Sequence, residues 1–208
     1  MCHVEMMNEQ ELIRLALDGD LNAFNHLVMK FQDLAYNVAY RIMGESDMAE
    51  DATQEAFISM YQKLHTYRGG SFKSWILRIV TNACYDELRR QKRKPVTALE
   101  PELEDGELME SPKWMVDDSP MPDEALDKSE LDEAIQHCLD GLDEKFRLVA
   151  VLIDVAGENY ETVSALIQRP LGTVKSRLAR ARQKLQDCLQ GFWELLPAGF
   201  RQTNEDAS

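Results

Sequence analysis

Between Arg169 and Leu185 the stretch RPLGTVKSRLARARQKL carries six cations, Arg169, Lys175, Arg177, Arg180, Arg182 and Lys184, and no carboxylate. Basic side chains at this density bind phosphates, and a well-placed arginine also takes O6 and N7 of guanine as a bidentate pair. Thr173 and Ser176 add hydroxyls suited to phosphate or base edges. A second face is spaced along SFKSWILRIVTNACYDELRRQKRK, where Arg78, Asn82, Asp86, Arg89 and Arg93 recur at steps of four, four, three and four. Arg and Asn suit phosphates and base edges, and Asp86 either orients a neighbouring arginine or accepts from a base. The chemistry on offer is nucleic-acid binding at two separate places.

Other chemistries lack their residues. No nucleophile with a paired base, no cluster of metal ligands and no phosphate-binding glycine loop occurs, so neither an enzyme, a cofactor, a metal nor a small-molecule substrate is expected. Cys2, Cys84, Cys138 and Cys188 stand far apart with no C-x-x-C pair, and read as reduced thiols of a cytoplasmic protein. No apolar run approaches the roughly 20 residues that span a bilayer, and MCHVEMMNEQEL lacks the regions of a signal peptide. A cytoplasmic location without membrane insertion is expected.

A formal net charge of −14 argues against a polyanionic partner until the charge is located. Residues 95–128 hold eleven carboxylates and two lysines, a net of −9, together with five of the seven prolines. This stretch has no sustained apolar period and reads as an acidic linker. As a coil it would average about 30 Å between its ends, and extended it would reach on the order of 110 Å. The division that follows is a first domain over 7–94, the linker over 95–128, a second domain over 129–190 and a tail over 191–208. Each domain closes on one of the basic stretches.

The elements that must position those cations are all helical. In the first domain Leu12, Leu15 and Ala16, then Phe24, Leu27, Val28, Phe31, Leu34, Ala35, Val38 and Ala39, recur at three- and four-residue steps, with a break at DGD and a stop at Gly44. The next helix starts after Ser46 or Asp47, either a suitable N-cap. On it Asp51, Gln54, Glu55 and Ser59 form a polar stripe opposite Ala52, Ala56, Phe57, Met60 and Leu64, either a solvated face or a partner-binding one. Phe72, Trp75, Ile76, Ile79, Val80 and Ala83 make the buried stripe of the helix bearing Arg78, with Trp75 suited to the core or to base stacking.

In the second domain Leu131, Ile135, Leu139 and Leu142 form one apolar face and Phe146, Val149, Leu152 and Ile153 the next. YETVSALIQ is a short helix, RPL a turn, and GTVKSRLARARQKLQDCL a longer helix with Val174, Leu178, Ala181, Leu185 and Leu189 inward. A short helix, a tight turn and a basic helix form a helix-turn-helix layout, whose second helix enters the major groove by its N-terminal half. Thr173, Lys175, Ser176, Arg177 and Arg180 then face the DNA.

At this point a family likeness is legible. DMAEDATQEAFISMYQKLHTYRGGSFKSWILRIVTNACYDELRRQKRK resembles region 2 of the sigma-70 family, and NYETVSALIQRPLGTVKSRLARARQKL resembles region 4. With no folded domain between them, the chain resembles the extracytoplasmic-function (ECF) subgroup. The resemblance implies an all-α fold of two small helical domains and a dissociable specificity subunit of bacterial RNA polymerase. It implies that Asp51, Gln54 and Glu55 meet the polymerase clamp helices and that the polymerase flap is a further contact. Tyr67, Arg68, Phe72, Arg78, Asn82, Asp86, Arg89 and Arg93 would bind the −10 promoter element, holding an extruded base as single-strand binders do. Thr173, Lys175, Ser176, Arg177 and Arg180 would read the −35 element as duplex, and an anti-sigma factor is a further partner. The acidic linker would either lie in a basic polymerase channel or serve solubility alone.

Two departures stand out. Ser164 and Gln168 occupy positions where the family usually has Ala and Gly, so the turn has no glycine for a left-handed residue. The tail gathers Phe192, Trp193, Leu195, Leu196 and Phe200, apolar enough to fold back on the second domain. The competing reading is a stand-alone helix-turn-helix regulator whose first domain senses a ligand.

Overall fold

The computed structural model describes residues 8–93 and 122–196, and these are helical with no strand among them. Four helices build the first domain: α1 (Glu9–Leu17), α2 (Leu21–Met43), α3 (Ser46–Lys63) and α4 (Phe72–Arg93). Their starts and stops follow from local chemistry. The carboxylate of Asp20 accepts from the amides of Asn22 and Ala23 at the head of α2, and Gly44 ends that helix in the left-handed region at φ 83°. The N-cap of α3 is Glu45, without a side-chain cap bond, and Ser46 is already helical. This corrects the expected start: the Ser46 hydroxyl pairs with the Tyr36 hydroxyl at 3.0 Å instead of capping.

The second domain comprises α5 (Pro122–Asp140), α6 (Glu144–Ala150), α7 (Tyr160–Ile167) and α8 (Leu171–Leu189), with a π-helical turn over Val151–Val155 and a 3-10 turn over Gln190–Leu195. The stretch expected to be linker ends earlier than its composition implied, because α5 opens at Pro122, where a proline lacks only an N–H that a first turn leaves unbonded. The linker's remaining residues lie outside those described. The 3-10 turn packs on α5 and α8, with Phe192 edge-on to His137 at 5.8 Å, while Trp193 stays 57% exposed. Phe200 lies outside the described residues.

The two domains form one packed body. Buried side chains make a continuous apolar cluster from Leu27 and Val38 on α2, through Ile76, Leu77 and Val80 on α4, to Val149, Val151 and Leu152 in the second domain. Polar clamps fix the seam. Arg41 of α2 donates to the Gln136 amide oxygen at 3.1 Å and pairs with Asp132. Arg147 of α6 donates to the carbonyls of Ile42 at 2.9 Å and Asp140 at 2.8 Å, and pairs with the Asp140 carboxylate at 3.1 Å. At the start of α4, Ser74 donates to Glu158 at 2.9 Å and Lys73 to the Ala156 carbonyl. Gly44 serves twice, since a Cβ there would lie 2.8 Å from an Asp140 carboxylate oxygen.

One pairing overturns the expectation of reduced thiols. Cys138, near the end of α5, and Cys188, near the end of α8, are joined as a disulfide with their Cα atoms 5.7 Å apart, while Cys84 is free and buried. Fifty residues of sequence separate the pair, and only the packing of α5 on α8 brings them together.

Arg147 is the seam's most heavily bonded cation, and its removal takes a donor from three carbonyls, those of Ile42, Asp140 and Leu142, and from the Asp140 carboxylate. Arg147→Ala is expected to lower the unfolding free energy by about 2–3 kcal/mol, read as a drop in the urea midpoint. An unchanged midpoint would remove Arg147 from the seam's energetics.

Candidate nucleic-acid interface

Helices α3 and α4 lie side by side and leave a groove of about 770 Å³ between them. Asp51, Gln54 and Glu55 stand on the α3 wall, and Arg78, Asn82 and Asp86 on the α4 wall, with Ala52, Ile79 and Ala83 also lining it. The groove thus joins two residue sets that the sequence assigned to different partners. All six polar residues are exposed. The α4 series also continues differently from its expected course: Arg90, four residues past Asp86, lines the groove and pairs with Glu87 at 2.8 Å. A uniform step of four from Arg78 would have found it. Arg89, at the shorter step, pairs with Asp86 at 3.1 Å, so Asp86 does orient a neighbouring arginine. The side chain of Arg93 lies outside those described.

The loop into α4 is an aromatic platform. Tyr67 donates its hydroxyl to the Gly70 carbonyl at 2.7 Å and packs edge-on against Phe72 at 5.1 Å and Trp75 at 5.6 Å. Burial raises the Tyr67 phenol above its ordinary range, and the carboxylate of Glu9 adds to this. Gly69 and Gly70, at φ 92° and 91°, let the chain reverse tightly enough for that hydrogen bond. Phe72 is only 1% exposed, so its ring supports Tyr67 and Trp75 and is not presented to a ligand. Trp75, half-buried and lining the groove, is both core and platform. Arg68 is exposed at the loop's edge.

In the second domain α7 and α8 form the helix-turn-helix. Asn159 caps α7 by accepting from the amide of Thr162, and Val163, Val174, Leu178 and Ala181 bury the inner faces. The turn needs a left-handed residue after all, and Gln168 supplies it at φ 53°. Ser164, the other departure from the family pattern, donates its hydroxyl to the Arg169 carbonyl at 2.6 Å and fastens the same turn.

The six cations divide. Arg182 makes a two-point pair with Asp154, at 3.1 and 2.5 Å, and Lys184 lies 3.7 Å from Asp143. Arg169, Lys175, Arg177 and Arg180 make no ion pair among the described residues; Lys175 lies over the Tyr160 ring at 5.8 Å. Ser176 spends its hydroxyl on the Thr173 carbonyl at 3.0 Å. Lys175, Ser176 and Arg180 are exposed, whereas Thr173 and Arg177 are half-buried. The phenol of Tyr85 on α4 is pushed up to about 12, mostly by burial, then by Glu144 and Cys84, with Arg177 and Arg147 opposing.

Two helical domains, each presenting a basic helix and the second built on a helix-turn-helix, define a two-domain DNA-binding protein. Comparison with known proteins narrows this. Residues 27–94 match Sigma-70 region 2, and residues 132–185 match Sigma-70, region 4. The chain is 32% identical to the RNA polymerase sigma-H factor of Pseudomonas aeruginosa, covering 88% of this chain and 94% of that one. It is likewise 32% identical to the ECF RNA polymerase sigma factor SigW of Bacillus subtilis, covering 90% and 99%. It is 38% identical over 167 residues to the ECF RNA polymerase sigma factor SigE of Mycolicibacterium smegmatis, covering 80% of this chain and 62% of that protein. The sigma factor RpoE from Bartonella quintana, solved with the anti-sigma factor NepR, shares the fold at a TM-score of 0.61 and 23% identity, over 80% and 96% of the two chains. The chain belongs to the sigma-70 family and, within it, to the ECF sigma factors. As such it directs RNA polymerase, with core polymerase and promoter DNA as partners, and the stand-alone regulator is not favoured. No helix among the described residues is long and apolar enough to cross a membrane.

The strained turn yields a test. A non-glycine residue in the left-handed region costs about 1 kcal/mol, part of which a glycine returns to the unfolded chain as entropy. Gln168→Gly is therefore expected to stabilise the protein by roughly 0.5 kcal/mol, and Gln168→Val to destabilise it by about 1 kcal/mol. Urea unfolding midpoints in the opposite order would contradict the strain assigned to the turn.

Proposed function

We propose that the two basic helices divide promoter recognition between them. The observation that carries this is the separation of cations without an ion pair among the described residues into two sets on two domains, Arg78 with Arg68 on one and Arg169, Lys175, Arg177 and Arg180 on the other. The second set projects from the N-terminal half of α8 and the turn before it, which suits entry into a major groove. There Arg177 and Arg180 take base edges, and Lys175, Thr173 and Ser176 take phosphates or edges through what their local bonds leave free.

On the first domain the platform of Tyr67 and Trp75, with Phe72 behind it, suits stacking of an unpaired base. Arg68, Arg78 and Asn82 supply the donors that follow a single strand, and Asp86 holds Arg89 for the same purpose, with Arg93 continuing the helix. This is the −10 assignment. Asp51, Gln54 and Glu55 on the opposite wall are assigned to the polymerase clamp helices and the second domain to the flap. A contact to an anti-sigma factor belongs to the same reading by membership of the subgroup. The protein works in the cytoplasm as a specificity subunit with no catalysis of its own.

The governing test is transcription by core polymerase from genomic DNA, with transcript starts mapped in the presence and absence of the protein. Starts that appear only with both components support the reading, and a pattern indifferent to the protein refutes it. On a promoter recovered this way, Arg177→Ala and Arg180→Ala are each expected to weaken −35 duplex binding about 10- to 100-fold while leaving core affinity unchanged. Charge reversal by Asp51→Lys or Glu55→Lys should do the converse. Loss of core affinity in the arginine variants would mean that the surfaces have been exchanged.

A further inference from the structure

Cys84 is closed to thiolate chemistry, since burial pushes its thiol up to about 12. The Cys138–Cys188 pair differs in accessibility. Cys138 is 2% exposed, whereas Cys188 is half-buried and can be reached from solvent. The bond lies beyond the last buried anchor of α8, past the surface pairs of Arg182 with Asp154 and Lys184 with Asp143. The fully buried anchors of that helix, Val174, Leu178 and Ala181, all lie in its first two-thirds, and its N-cap Pro170 has no side-chain cap bond. Beyond Ala181 the side chains of α8 are half-buried or exposed, and this disulfide ties that end covalently to α5.

We propose that Cys138 and Cys188 form a reversible redox modification site whose oxidation fastens α5 to α8 and strengthens the second domain's grip on duplex DNA. The DNA part of this rests on the reading of α8 as the duplex-binding helix. In a cytosolic protein a disulfide is ordinarily transient or redox-sensing rather than a permanent staple. A cross-link spanning many residues also removes more freedom from the unfolded chain than a short one does. Small domains have thin cores, so the second domain responds strongly to such a tie.

The substrate class is a low-molecular-weight disulfide, RSSR. The Cys188 thiolate attacks one of its sulfurs, forming a mixed disulfide at Cys188 and releasing one RS⁻. The Cys138 thiolate then attacks the Cys188 sulfur, closing the Cys138–Cys188 bond and releasing the second RS⁻. The two thiol protons end on two RSH molecules, and two electrons pass from the cysteine pair to RSSR. A dithiol reverses the sequence by attacking at Cys188, the accessible sulfur.

The experiment equilibrates the full chain in buffers of reduced and oxidised glutathione. Free thiols are counted by alkylation and mass, and thermal midpoint and affinity for a generic DNA duplex at low salt are measured on the same samples. Two thiols are expected to disappear on oxidation and return with dithiothreitol. The midpoint of the oxidised form is expected to be about 10 °C above that of the reduced form, with duplex affinity several-fold higher. Cys138→Ser and Cys188→Ser should lose all three responses. Thiols that stay reduced throughout, oxidation that moves neither midpoint nor affinity, or a Ser variant that responds like the parent would each overturn the proposal. A midpoint that shifts while affinity does not would overturn its DNA part. A shifting midpoint with no duplex binding in either state would count against the assignment of α8 and leave the redox site supported.

Discussion

Helix α2 is packed on two sides at once, and the rest of the structure depends on that. Its apolar residues Leu27, Ala35, Val38 and Ala39 have no exposed surface, and α1, α3 and α4 all lie against it. Its last turn receives the second domain through Arg41, the carbonyl of Ile42 and the bare Cα of Gly44. Burial along such a helix contributes on the order of 25 cal/mol per Å² of apolar surface, so the scaffold beneath the groove is rigid. The seam adds directional bonds at the helix end, where carbonyls without helical partners are available. The same helix therefore supports the groove and orients the second domain.

Charge is spent locally rather than globally. Acidic excess would oppose DNA binding if it were spread evenly, yet carboxylates near α8 neutralise only the far end of that helix. Asp154 and Asp143 hold Arg182 and Lys184, and the N-terminal half keeps its cations free. Exposed ion pairs contribute little to stability, so these two pairs matter more for where positive potential remains than for the fold. On α4 the same device appears in Asp86 with Arg89 and Glu87 with Arg90, which fix two guanidinium groups beside the groove.

What was legible in the sequence was whatever a few neighbouring residues decide. The three- and four-residue apolar steps located the α-helices of the described residues apart from the first turns of α5, Gly44 ended α2 as expected, and α7 opens at Tyr160 where the sequence places it. The conformation of the turn at Gln168 was not legible, because a hydroxyl one helical turn away, on Ser164, does the fastening. The pairing of Cys138 with Cys188, the seating of Glu158 on Ser74 and the sharing of one groove by α3 and α4 each join residues far apart in sequence. No local pattern encodes such contacts. Phe72 is buried, as its place in the apolar stripe implied, so a residue inside a recognition loop can be its foundation.

Tyr85 gives the seam a sensitivity to alkali. Its phenol belongs to α4, yet part of its surroundings is supplied by Glu144, Arg147 and Arg177 of the second domain. With the ordinary value at 10.0 and the value in the fold at about 12, burial first makes the neutral ring favour the folded chain. That preference is whole below the ordinary value and is lost as pH climbs through the folded one. The seam is thus weakened in alkali, over the same range in which the buried thiol of Cys84 ionises.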